Sequence, residues 1–259
     1  PFQDYGAPNW READRALMEQ YASVSPPPPS ESSYSGRSVP LREISLEHGF
    51  DDFVSAPKTW TRADRLSLLL KFVFGKIGVV SSSFMECPRR TSPSGGARHP
   101  TDVVVEIGSA WPEWQSGRYY YDSARHALVS AQSVEFDIEP ESQCKLILVS
   151  TVERAMWRYR DARSYRPVLI DLGHIAEMIV LVCEFLGFKT SVHAPAPCTD
   201  LGVDWFDAPD FLCIEISEEA PKLAFDAQQQ FQHSLSVCHN SSMLVNPLAY
   251  FSTFDGGII

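Results

Sequence analysis

Residues 89–100 read Arg-Arg-Thr-Ser-Pro-Ser-Gly-Gly-Ala-Arg-His-Pro, the densest group of side chains in the sequence able to meet a ligand. Gly95 and Gly96 carry no Cβ, so the backbone there can approach a bound group closely. Exposed N–H groups in such a turn, beside Arg89, Arg90 and Arg98, suit an anionic or electron-rich ligand. A plain surface loop with solvated arginines would use the same letters. Asp171 and His174 stand one helical turn apart and have the types of an acid/base pair, or of a helix cap beside a partly buried histidine. His193, Cys198, His233, Cys238 and His239 have zinc-ligand chemistry, but their spacings fit no standard site, so no metal is assigned. The phosphate-loop, dinucleotide, H-E-x-x-H and G-x-S-x-G motifs are all absent from the sequence.

These groups need elements to hold them. Asp64–Phe74 reads as a buried helix, and Leu172–Leu186, apolar on nearly all sides with Gly187 beyond it, as a central one. Asp102–Ile107, Arg118–Tyr121, Cys144–Ser150 and Phe211–Ile216 read as strands, and Gly117–Leu128 as a hairpin with a polar turn. Pro88–Pro100 shows neither period and reads as a loop. Trp10, Ala13, Leu17 and Tyr21 recur at helical spacing, and Pro26–Pro29 with flanking serines make a stiff linker. Strands mixed with one long buried helix predict an α+β sheet domain over 49–217. An N-terminal helix and linker precede it at 1–48, and a weakly patterned extension follows at 218–259.

The chain has 259 residues and a formal net charge of −11, against a protein that grips nucleic-acid phosphates. No apolar run reaches the roughly 18 residues that cross a bilayer. The first ten residues lack the basic-then-apolar order of a signal peptide. Six widely spaced cysteines, none in C-x-x-C, fit reduced thiols, with Cys144, Cys183 and Cys213 inside apolar runs. A cytoplasmic protein without membrane or nucleic-acid partners is expected.

Three ordered stretches are more specific. They are the loop ending Arg90-Thr91-Ser92-Pro93-Ser94-Gly95-Gly96-Ala97-Arg98-His99-Pro100, the hairpin Gly117–Leu128, and Glu153-Arg154-Ala155-Met156-Trp157-Arg158-Tyr159. Tyr165-Arg166 and Asp171-Leu172-Gly173-His174 follow the last. In this order they resemble the nitroreductase-fold, FMN-dependent dehydrogenases of the SagB/McbC type, which oxidise thiazolines and oxazolines in peptide natural products. The resemblance spans about residues 60–216. It implies a central antiparallel sheet wrapped by helices, and a homodimer with FMN between subunits. It also implies a peptide-derived or carrier-bound azoline-like substrate, with biosynthetic enzymes as partners. Arg90, Ser92, Pro93, Ser94 and Gly95 would face the flavin, and Tyr159 with Arg158 would occupy the family's catalytic Lys-Tyr positions.

The departures from the family pattern are specific too. Arg158 stands where the family has lysine, and a guanidinium stays protonated, so the resemblance leaves Tyr159 as the base or a different reaction. Of the family's N-terminal R-x-S-x-R phosphate anchor only Ser38 is in register. Phe188-Lys189 follows Leu186-Gly187 where the family repeats Leu-Gly, and Glu177 replaces glutamine. A non-catalytic homologue that docks a partner, or a flavin-free enzyme reusing the pocket, are the other readings these departures allow.

Overall fold

Alternation of apolar side chains decides the strands, and the chain folds around them. The computed structural model describes residues 28–29, 32–81, 86–131, 144–159, 165–194 and 210–218, with single helical positions at 16, 20 and 23. The expected helix Trp10–Tyr21 as a unit and the tail beyond Glu218 lie outside the described residues. In chain order the described elements are β1 (Ser38–Pro40), α1 (Gly49–Ser55), α2 (Arg62–Phe74), β2 (Lys76–Ser81) and β3 (Glu86–Arg90). Then come β4 (Thr101–Ile107), β5 (Gly117–Asp122), β6 (Ala127–Ser130), β7 (Cys144–Ser150), α3 (Glu153–Tyr159), α4 (Tyr165–Phe185), β8 (Phe188–His193) and β9 (Asp210–Glu218).

Seven strands pair antiparallel throughout in the order β1-β6-β5-β4-β7-β9-β8, and β2 with β3 forms a separate ribbon. Strand side chains alternate between faces. Val103, Val105 and Ile107 of β4 and Leu146 and Leu148 of β7 meet Leu66 and Leu70 of α2 and Ile175 and Ile179 of α4 in the main core. Val104, Tyr120, Ile147, Val149 and Cys213 face the other way, where Tyr34 packs against them. Its ring stacks on Tyr120 at 4.5 Å, interplanar 1°. The sheet is therefore covered on both faces, and β1 draws residues 38–40, upstream of the expected domain start, into it. Cys144 and Cys183 are buried thiols, and burial raises both pKa values.

The structure amends the local readings at three places. α2 starts at Arg62 because Thr61 and Asp64 form a capping box, each side chain accepting from the other's backbone N–H. α4 starts at Tyr165, with Pro167 in the first turn, where a missing N–H costs nothing. It ends as expected, Gly187 taking φ 76° beyond its last turn. The reading of Pro88–Pro100 as loop throughout is corrected: Pro88, Arg89 and Arg90 belong to β3, Pro88 pairing with Val79. A proline is tolerated in a two-stranded ribbon at a position that need not donate.

Candidate functional site

The loop between β3 and β4 is a built turn. Thr91 Oγ1 donates to the Phe72 carbonyl of α2, fixing the loop's entry. The Ser94 carbonyl accepts from Ala97 N–H at 3.0 Å, and Ser94 Oγ accepts from His99 N–H at 2.8 Å. Gly96, Ala97 and His99 have φ of 66°, 54° and 42°. Left-handed backbone is cheap at glycine, but at Ala97 and His99 it is a strain that the surroundings must hold in place.

Asp171 supplies part of that hold. Both its carboxylate oxygens accept from Gly95 N–H, at 3.1 and 2.9 Å, and the Ser94 hydroxyl also donates to it. Burial pushes the Asp171 carboxyl up to about 6, opposed by those hydrogen bonds and by His174. The reading of Asp171 as a helix cap is corrected, since it lies well inside α4 and is buried, and the reading of His174 as partly buried is corrected too, since its ring is exposed. With one partner inside and the other in solvent, the two residues do not share a site face.

A cluster of arginines ties the loop to α3. Arg98 is fully buried, donates from Nε to the Arg154 carbonyl at 3.0 Å and lies over the Trp157 ring. Arg154 answers by donating from Nη1 to the His99 carbonyl at 3.0 Å and pairs through Nη2 with Asp102 Oδ2 at 3.0 Å. Arg90 also turns inward, its Nη1 3.6 Å from Asp102 Oδ1. Ser32 Oγ donates to Asp102 at 2.7 Å and accepts from Arg154 at the same distance. One carboxylate thus sits between two guanidiniums with a third nearby. The Nε atoms of Arg90 and Arg154 are buried with no hydrogen-bond partner among the described residues. Burial first, then Arg90, drives the His99 pKa well below its usual value and keeps the ring neutral. This is a cationic interior with donors to spare, suited to an electron-rich or anionic group.

Arg90 ends β3, and Ser92, Ser94 and Gly95 share the short loop that follows it, with Ser92 buried and Pro93 exposed at its surface. Tyr159 and Arg158 end α3, the helix that Arg98 and Arg154 bind to this loop. Their side chains lie outside the described residues. Ser38 lies on β1, where it pairs with Val129 at the sheet edge, three strands from β4. His193 is exposed at the end of β8, 3.8 Å from Glu215, and the remaining residues of the tentative zinc set lie outside the described residues.

The hairpin motif is structural. His126 Nε2 lies 3.0 Å from the Arg42 carbonyl, which can only accept, so Nε2 carries the proton. The neutral ring's Nδ1 then accepts from Tyr121 O–H at 2.9 Å. Burial lowers the His126 pKa and raises that of Tyr121, keeping both neutral.

Sequence reasoning missed Asp102, Arg154 and Ser32 as members of the site. A signal existed for Asp102. A lone carboxylate at the head of a Val-Val-Val strand must find a cation when that strand is buried. Nothing local marks Ser32, which reaches the site across 70 residues.

No family model matches the sequence. The trifolitoxin-processing protein TfxB of Rhizobium leguminosarum bv. trifolii is 33% identical over 143 residues, 49% of this chain and 38% of that protein. Its counterpart TfxF, from the same organism, is 31% identical over 143 residues, 54% of this chain and 51% of that protein. The chain thus spans about half the length, or less, of these curated relatives. A crystal structure of a candidate nitroreductase from Anabaena variabilis superposes with a TM-score of 0.59 at 21% identity, covering 75% of this chain and 42% of that one. The fold is nitroreductase-like, and the sequence is related to trifolitoxin-processing proteins, in keeping with the SagB/McbC-type resemblance.

Proposed function

We propose that this nitroreductase-like chain is an FMN-dependent oxidoreductase of peptide natural-product biosynthesis, dehydrogenating an azoline-type heterocycle in a peptide-derived or carrier-bound substrate. The observation that carries the reading is the junction of the Ser92–Gly95 loop with α3. Arg98 and Arg154 bind the segment expected to face a flavin to the helix that ends in Arg158 and Tyr159. The relation to the trifolitoxin-processing proteins TfxB and TfxF supports a role in natural-product biosynthesis.

The residues present fit a flavin at the ring end. The buried Nε atoms of Arg90 and Arg154 have no acceptor among the described residues, and the loop offers backbone beside glycines. Bound FMN would supply the hydride acceptor. The chain's own part is to hold the ring between Ser92–Gly95 and α3, and to stabilise negative charge with the Arg90 guanidinium, which Asp102 orients. Tyr159 would take the substrate proton, with Arg158 favouring its phenolate. Of the phosphate-anchor pattern only Ser38 is in register, which favours weaker cofactor retention than the ring end alone suggests.

A second copy of the chain would complete the site. Tyr165, Leu169, Ile170 and Leu181 are exposed on α4, with His174 and Glu177 exposed between them, apolar area that pairing of two such helices would cover. Among the described residues no helix is long and apolar enough to cross a membrane.

The deciding experiment is flavin content and turnover of the full chain. Yellow protein, saturable FMN uptake and oxidation of a thiazoline- or oxazoline-containing peptide are expected. Colourless protein that ignores added FMN would instead identify a non-catalytic partner subunit or a flavin-free enzyme.

A further inference from the structure

We propose that Asp171 is a positioning residue whose carboxylate clamps the Gly95 amide, and so holds the Ser94–His99 turn in its ligand-receiving shape. The clamp is read from geometry alone, while its consequence for cofactor binding rests on the FMN reading above. Both oxygens of Asp171 lie within 3.1 Å of Gly95 N, and the Ser94 hydroxyl donates to the same group. The contact joins residues 76 apart in sequence. It therefore fastens the turn to α4, whose Ile175, Ile179 and Cys183 are locked in the main core.

The turn needs such a fastening. Its two non-glycine left-handed residues, Ala97 and His99, would relax to ordinary backbone if released. Within the turn, the Ser94 carbonyl to Ala97 bond and the Ser94 Oγ to His99 bond both depend on where Ser94 sits. Asp171 grips Ser94 and Gly95 together, upstream of both. His174, one turn on, is exposed, and among the described residues no arginine of the buried cluster pairs with Asp171. The carboxylate is thus buried without a guanidinium, an arrangement that costs stability and is repaid in geometry.

The test uses the full chain with Asp171→Ala and Asp171→Asn, reading native-state exchange of the Gly95 amide, thermal midpoint and FMN affinity by titration. In Asp171→Ala, Gly95 protection should fall roughly 10-fold or more while Leu146 and Leu148 of β7 keep theirs, and FMN affinity should weaken by a similar factor. Asp171→Asn keeps one acceptor oxygen and should recover part of both effects, with no loss of thermal midpoint. That split, weaker ligand binding in a fold no less stable, is not what a purely structural residue gives. Unchanged Gly95 protection in Asp171→Ala overturns the clamp, and lost protection with unchanged FMN affinity overturns its positioning role. Should wild type take up no FMN, the cofactor reading fails, and Gly95 protection alone upholds or overturns the clamp. Should Asp171→Ala not fold, Asp171→Leu, similar in size and without an acceptor, takes its place.

Discussion

Replacing Asp171 by asparagine should make the fold more stable at neutral pH, by an amount that grows with pH. Folding takes this carboxyl from water, where it titrates at 3.8, to a site where it titrates at about 6. The folded state therefore holds the proton more tightly than the unfolded state does. Stability from this group is fully present below about pH 4 and is lost as pH rises through 6. At about 1.36 kcal/mol for each pH unit, the wild type above pH 7 stands about 3 kcal/mol below a chain whose residue stays neutral. Asparagine has nearly the same shape and no charge to bury. Urea unfolding of both proteins at pH 4 and pH 7 checks this. Other titrating groups cancel in the difference between them, and the gap should be roughly 2 kcal/mol wider at pH 7. An equal gap at both pH values, or a narrower one at pH 7, would show that Asp171 is not buried in its charged form, and the reasoning fails.

Tyr159→Phe keeps the ring and should leave fold and flavin content intact, while turnover falls by roughly 10²-fold or more in a single-turnover assay. Arg158→Lys restores the family pair and should raise azoline oxidation measured on the same peptide. Arg154→Met leaves Asp102 with a single distant guanidinium and Ser32 with one partner fewer; unfolding experiments should show a loss of about 3 kcal/mol. Sedimentation at micromolar concentration should show a dimer, and Leu169→Glu in the exposed apolar area of α4 should shift it towards monomer without lowering the thermal midpoint.

Elements whose information is local were legible in the amino-acid order. β7 runs Cys144–Ser150 as its apolar run predicts, and α4 stops before Gly187 because only a residue free to take φ 76° ends a helix that way. The hairpin of β5 and β6 follows from strand residues around a turn where Asp122 accepts from the Ala124 and Arg125 amides. The resemblance carried the antiparallel sheet and the nitroreductase-like fold, because three motifs in a fixed order constrain more than any one of them. Tertiary structure alone decided what the polar residues do. Asp171 and His174 look like a pair on a helical net, yet one is buried against Gly95 and the other is in solvent, since a helix has two sides and the letters do not say which faces the loop. Arg90 reads as a cation near a ligand, but Asp102, the carboxylate that orients its guanidinium, is revealed only when β3 and β4 are brought together. Ser32 sits in a stretch whose composition says linker, and it bridges Asp102 and Arg154 because a buried ion pair needs its remaining donors and acceptors filled from wherever the chain passes.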